Sequence, residues 1–414
     1  MTEQDGDFIQ GTCMQMCPRS EILSREKQRR LHFFETVAFT SRSTNSNISQ
    51  QDKLTADPRA VVKEFTRSAA GKAIDPSELR PFHVLLRTVN YLIDVIASKD
   101  RDFPWHMIYL FVFDRTRSVR QDLVVQRISG KPVVEIFEKI CRFHIISSYQ
   151  LCESTIDVFD GKTNNDHIAE CLKRLLCFYD IEQPATYRET RAEFEAYYLL
   201  HNLGSVEALT RAVTLPEEIK RSCLVQLAFD INLTILLRNY VRFFRLVKSL
   251  PYLACCAVHK HFNHVRADAL ATINTAYFSR NASLPLTLLV EMLNFNDVQE
   301  AKEFCSCSGL EASDTAVKFI KAQLNNAQTH RTRFSGMIDT KLSGRISGII
   351  SGRDNSCRTF QFPSQNKRSE ECSNDEKMHG VSKPVSNLKT QQSWFGKGRG
   401  KGRGRGWKLS LIHI

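Results

Sequence analysis

Apolar residues recur at helical spacing along most of this chain. The clearest run is Leu85, Val89, Leu92, Ile93 and Ile96, at intervals of 4, 3, 1 and 3, with Pro81 near its start. That is the stripe of an amphipathic helix. From about 57 to 280 nearly every segment reads this way. Helices are predicted over 58–70, 105–128, 132–152, 166–180, 188–201, 217–236, 238–249 and 252–280, the last broken near His264. Punctuating residues fall between them at Asp75-Pro76, Gly130, Gly161, Pro184, Gly204, Pro216 and Pro251. Upstream, a polar lead over 1–18 precedes Ser20, which is placed to cap a charged helix running to about Phe39. Residues 40–56, rich in Ser, Asn, Thr and Gln, read as a flexible connector.

Short helices joined by short loops predict an antiparallel helical array in which each pair buries its stripe against the next. With no fixed repeat period, a degenerate helical-hairpin solenoid is preferred; a globular bundle is the other reading. After 280 the pattern changes. Pro285 to Leu293 makes one short helix, and Asn296 is placed to cap a second over 297–308, which Gly309 would stop. Thr315 to Ile320 (TAVKFI) is the best strand candidate. Helix, turn, helix and a returning strand is how a small winged-helix module reads; a helical hairpin with an extended tail fits the pattern nearly as well. The expected organisation is a lead, charged helix and linker over 1–56, a helical array over 57–280, a winged-helix-like module over 281–325, and a disordered basic tail over 326–414. Residues 335–392 have too few apolar positions to supply a core.

Composition narrows the class. At 414 residues and 42% hydrophobic content, the chain is neither collagen-like nor wholly disordered. No apolar run approaches the roughly 20 residues of a spanning helix, so membrane insertion is not expected. The first 20 residues carry acids and no continuous apolar segment, which argues against a secretory leader. Thirteen scattered cysteines, none in C-x-x-C spacing, suit a reducing, intracellular compartment. The net charge of +12 sits in the tail: residues 331–414 hold 17 Lys/Arg against 6 Asp/Glu, and the rest of the chain is balanced. Nucleic-acid contact by the body must therefore come from local clustering.

Catalytic constellations are absent from the sequence: there is no G-x-x-x-x-G-K-[ST], G-x-S-x-G or H-E-x-x-H. Cys255, Cys256, His259, His261 and His264 spiral around one helical stretch and cannot all face one ion, so no metal site or other cofactor is expected there or at Cys13 and Cys17. In the run Asp114 to Asp122 two acids bracket Arg115, Arg117 and Arg120, which favours intramolecular ion pairs. Two basic features remain. Arg238, Arg242, Arg245 and Lys248 form a cationic stripe interleaved with Tyr240, Phe243 and Phe244; it suits phosphate contact, or is a solvated helix face. In the tail, Lys397, Arg399, Lys401, Arg403 and Arg405 alternate with glycine between Trp394-Phe395 and Trp407. Open backbone, guanidinium groups and stacking rings predict nonspecific RNA affinity, with an import or solubilising tail as the alternative. The last six residues, 409–414, read as what a sequencing-adapter end would encode and are set aside.

Eight strings in order resemble one family: GTCMQMCP at 11–18, VKEFTRSAAG at 62–71, LRPFHVLLRTVNYL at 79–92, FDRTRSVRQDL at 113–123, EKICRFHIISS at 138–148, EFEAYYLL at 193–200, NYVRFFRLV at 239–247 and LPLTLLVEMLNFND at 284–297. Over about 11–325 the chain resembles the family of germinal-centre-associated nuclear protein (GANP) and the yeast suppressor-of-actin export factor. The resemblance implies a non-enzymatic nuclear scaffold of messenger-RNA processing or export, with a PCI-like helical region ending in a winged helix. It further implies a second PCI-type protein and a small acidic lid-type protein as partners, and joined winged helices offering a basic surface to nucleic acid. Arg242 and Arg245 lie in the matching NYVRFFRLV string. The sequence carries no phenylalanine–glycine repeats, no long centrin-binding helix and no acetyltransferase-like extension, all of which bear on nuclear-pore association. In this it is similar to the short members, one of which is linked to centrosome duplication; a centrosomal or spindle-associated structural role, with centrosomal or cytoplasmic location, is the alternative expectation.

Overall fold

The computed structural model describes residues 9–40, 55–67, 75–181, 188–277, 282–321, 324, 330–354 and 356–361. Its helices in chain order begin with α1 (Arg19–Lys27), α2 (Val37–Thr40), α3 (Phe82–Tyr91), α4 (Trp105–Val125), α5 (Lys131–Gln150), α6 (Gly161–Ile181) and α7 (Arg188–His201). There follow α8 (Val206–Thr214), α9 (Glu217–Lys220), α10 (Cys223–Leu236), α11 (Tyr240–Val247), α12 (Tyr252–His259) and α13 (Phe262–Tyr277). The remaining elements are β1 (Ser283–Pro285), α14 (Leu286–Leu293), α15 (Val298–Cys307), β2 (Glu311–Ala312), β3 (Ala316–Lys318), α16 (Gly336–Asp339) and α17 (Ile346–Ile350). The protein is mainly helical, as the periodicity predicts.

The stripe from Leu85 to Ile96 is buried throughout. Past Tyr91 the helix widens into a π turn over Leu92–Ile96 and tightens again at Ala97–Lys99, which keeps Leu92, Ile93 and Ile96 all facing inward. The centre of the body is α5, buried on most sides and packed against α3, α4, α6, α12 and α17. From it the helices stack in succession: α6 on α5, α7 on α6, α10 on α7, α11 on α10, α14 on α11. Among the described helices between 57 and 280, α8 escaped the periodicity; its Ser205 cap accepts from the Ala208 N–H. The helix expected over 217–236 is divided at Ser222 into α9 and α10.

Two amino-terminal expectations are corrected. The helix expected from Ser20 to Phe39 ends at Lys27, and Pro18 rather than Ser20 holds its cap position. Arg29 takes the left-handed conformation (φ 54°), and a short 3₁₀ turn over Phe33–Glu35 follows. That turn carries Glu35 into a buried ion pair with Arg25 (2.8 Å) and Arg115 (3.2 Å). No helix forms over 57–67, where 58–70 predicted one, because neighbouring elements take the backbone donors a helix would need. The Val62 N–H goes to Glu35 Oε1 (3.1 Å), Lys63 to the Met16 carbonyl (3.0 Å), Glu64 to Glu21 Oε1 (2.8 Å) and Phe65 to Asp114 Oδ2 (3.2 Å).

After α13 the strand candidate does pair. Val317, in the middle of TAVKFI, is fully buried in β3, the centre of an antiparallel sheet of order β1-β3-β2 with Leu284 and Ala312 opposite Val317. Helices α14 and α15 lie between β1 and β2 in sequence, and Gly309 (φ 90°) stops α15 as expected. The cap of α15 is Asp297, not Asn296: Asp297 Oδ1 accepts from Glu300 N–H (2.7 Å). Asn296 is occupied elsewhere, accepting from Gly336 N–H and donating to the Phe334 carbonyl, both at 2.8 Å. Asp297→Ala is accordingly expected to cost about 1 kcal/mol in a urea melt, whereas a matching loss confined to Asn296→Ala would contradict this assignment.

Those Asn296 contacts belong to a larger correction. Of the tail expected to lack order from 326, residues 330–354 and 356–361 are described, and they cross the helical body as a strap. The Tyr149 hydroxyl donates to Asp339 (2.6 Å) and accepts from Ser335 N–H (3.1 Å), and His259 Nε2 bonds the Arg333 carbonyl (2.9 Å). Ile338, Ile346, Ile349, Ile350 and Cys357 are buried against the body. Too sparse to make a core, these residues complete one that α5 and α12 supply.

Candidate nucleic-acid interface

α11 is a one-sided helix. Asn239 caps it, accepting from Arg242 N–H (3.1 Å). Phe243, Phe244 and Val247 are buried, with Phe243 and Phe244 edge-to-face at 5.0 Å and Phe244 against Phe262 of α13 at 5.3 Å. Arg242 and Arg245 therefore point to solvent, and Lys248, at the carboxyl cap, is exposed beside them. Arg238 is a correction in detail: it is not on the helix but in the turn before it, with φ 52°, and is exposed there. It borders a cleft of 640 Å³ between that turn and α13, with Tyr240 and Asp268 also in its lining.

Charge pairing takes up the buried arginines of the body, whereas these four cations are exposed. Arg115 is held by Glu35, Arg120 by Glu170 (3.0 Å), and Asp122 by Arg80 (2.7 Å) and Lys63 (2.9 Å), so the Asp114–Asp122 run is chiefly an ion-pair network. Arg191, Arg211 and Arg266 are likewise paired, with Asp180, Glu195 and Glu300. Near the small sheet Lys302 of α15 meets Asp314, and Lys318 of β3 meets Glu311 of β2. The side chains of Arg238, Arg242, Arg245 and Lys248 make no ion pair among the described residues. Lys341 of the strap, which the sequence did not single out, extends the cluster by donating to the Lys248 and Leu250 carbonyls, both at 2.8 Å. Such an anchoring of a helix end by a distant lysine has no local signal. Lys397, Arg399, Lys401, Arg403 and Arg405 lie outside the described residues.

The cysteine–histidine stretch is taken up by packing. Cys255 points to the Val247 and Leu250 carbonyls, His261 Nε2 bonds the His201 carbonyl (3.0 Å), and His264 is exposed beside Asp268. Among the described residues no group of three His, Cys, Asp or Glu could hold a metal ion, and no helix is long and apolar enough to cross a membrane.

The described residues form a stacked helical body followed by a small three-stranded module, with an exposed cationic helix on the surface. Residues 16–314 match the SAC3/GANP family, and the chain belongs to that family. It is 30% identical over 357 residues to protein xmas of Drosophila melanogaster, a stretch covering 83% of this chain and 16% of that protein. It is 33% identical over 327 residues to SAC3 family protein 1 of Schizosaccharomyces pombe, covering 73% and 30% respectively. A THP3 homolog of the same yeast is 25% identical over 298 residues, covering 70% of this chain and 67% of that protein. The chain thus spans less than a third of the length of the first two relatives.

Proposed function

We propose that this chain is a non-catalytic nuclear scaffold of messenger-RNA processing or export that binds RNA and a second PCI-type protein. The observation that carries the proposal is the unpaired cationic surface of α11 and the turn before it, in a body whose buried arginines are, among the described residues, all ion-paired. Arg242 and Arg245 on α11, Lys248 at its carboxyl cap and Arg238 in the turn before it can each meet a phosphate and release counterions. The helical stack fits a PCI-like array, and the order β1-α14-α15-β2-β3 with β3 central fits a winged helix, which supports pairing with a like module and with a small acidic lid-type protein. The glycine-spaced cations between Lys397 and Arg405 would add loose affinity for single strands.

The test compares the intact chain, a chain ending at Pro363, and Arg242→Glu with Arg245→Glu. The cut belongs after Pro363 because an earlier one would remove the strap from the core. RNA crosslinked in cells should fall in both altered proteins. In vitro, affinity for oligouridylate should drop steeply with salt, and the log–log slope should shrink by about 0.7 for each phosphate no longer neutralised. RNA-free protein in every form, together with centrosomal localisation, would favour the spindle-associated role instead and sink the proposal.

A further inference from the structure

One arginine in the α4 network is not neutralised. Arg117 lies flat on Phe65, its guanidinium carbon 3.8 Å from the ring centroid, with Phe113 on its other flank at 5.5 Å. It makes no hydrogen bond or ion pair among the described residues. The nearby Asp114 carboxylate is already taken by Arg115 and by the Phe65 N–H. Arg117 faces a concave site of 350 Å³ whose lining includes Arg120, His167, Glu170 and Arg174. Arg120 is nearly buried; it donates to Glu170 Oε2 (3.0 Å) and to His167 Nδ1 (2.8 Å), while its Nε finds no acceptor among the described residues. Arg174, half exposed, shares Glu170 (3.5 Å). Three guanidinium groups therefore line the concavity around the Glu170 carboxylate, with Asp114 nearby but shared with Arg115. Burial, reinforced by the charges of Arg120 and Arg67 and opposed by Asp114 and Glu170, depresses the Arg117 pKa.

We propose that this concavity between α4 and α6 receives a phosphate monoester carried by a segment of a partner protein, with Arg117 as the forked donor and Arg174 closing over the phosphate. The stacked, pre-oriented guanidinium suits bidentate phosphate recognition. The surplus of positive charge matches a phosphorylated side chain, which carries close to two negative charges at neutral pH, better than a single carboxylate. A nucleic-acid strand fits less well, because Arg117 already covers the face of Phe65 on which a base would stack. At the rim the half-exposed Val124, with Val125, offers apolar contact to the residues flanking a phosphorylated side chain. The site lies outside the basic stripe of α11 and does not depend on the RNA-binding reading.

Calorimetric titration of the full chain with inorganic phosphate in chloride buffer tests this, followed by displacement with an acetyl-Val-phosphoserine-Val amide, its unphosphorylated form, or oligouridylate. One saturable site is expected. Arg117→Ala should weaken it about tenfold, Arg117→Lys less, and Arg242→Glu with Arg245→Glu not at all. Arg174→Gln, a half-exposed position, gives a second reading should Arg117→Ala disturb folding. The phosphopeptide should displace phosphate and the unphosphorylated peptide should not. Absence of a saturable site, equal binding by all variants, or readier displacement by oligouridylate than by the phosphopeptide would each overturn the proposal.

Discussion

Arg142→Ala is expected to destabilise the protein by about 3–5 kcal/mol, because it strips the partner from a buried carboxylate. Arg142 sits in the middle of α5, fully enclosed, and forks onto Glu193 of α7 with Nε and Nη2 each 2.8 Å from a carboxylate oxygen. Glu138, one turn earlier, lies 3.7 Å from the same guanidinium and accepts from the Tyr179 hydroxyl, while Tyr197 donates to Glu193 (2.9 Å). Burial alone would raise the Glu193 pKa, but the charge and hydrogen bonds of Arg142 outweigh it and hold the carboxyl below its ordinary range. Without Arg142 two acids are left in a dry interior, where the strap's Arg358, 3.3 Å from Glu193, is the one remaining paired cation among the described residues. A urea melt reads the loss. The double change Arg142→Met with Glu193→Met should recover much of it, since an apolar pair of similar volume removes the stranded charge. A midpoint unchanged in Arg142→Ala would mean that the fork contributes nothing.

Acid should unfold this protein well above the range where carboxylates titrate. Burial, followed by the charge of Arg120, pushes the His144 pKa down to about 3. Burial and the Lys260 ammonium push His201 to about 2, and burial pushes His259 to about 4 despite its bond to the Arg333 carbonyl. Each is buried and neutral in the folded state. In the unfolded chain the same imidazoles titrate near 6.5. Below that pH the unfolded state binds more protons, so stability is fully present above about 6.5 and is lost as pH falls towards the folded values. At pH 5 the loss is on the order of 2 kcal/mol for each of the three. Denaturant midpoints measured from pH 7.5 to 5 should decline together with that window, and His144→Gln should flatten the decline. A midpoint constant down to pH 5 would show that these histidines are not held neutral.

The contrast between Leu85–Ile96 and residues 58–67 shows how far periodicity reaches. The first stripe packs as its spacing dictates because burying one face satisfies it in any helical setting. The second has helix-compatible residues, yet its N–H groups find Glu35, Met16, Glu21 and Asp114, up to 49 residues away, and extended backbone results. Cap residues fail for a related reason. Asn296 and Asp297 are equally suited to the start of α15, and the strap claims Asn296.

The basic stripe was legible because α11 needs Phe243, Phe244 and Val247 inside, which leaves Arg242 and Arg245 outside whatever the neighbours are. By itself, then, the order of residues determined a helical body, the pairing strand at 315–320, the outward direction of the α11 cations and the family resemblance. All of these follow from spacing along one element or from strings of residues. Only the tertiary structure decided that the segment after 330 is part of the core, that Lys341 ends α11, and that Arg117 alone in its run stays without a carboxylate. Each of those outcomes depends on groups far apart in the chain competing for the same donors, acceptors and apolar surface, and no local pattern records who wins.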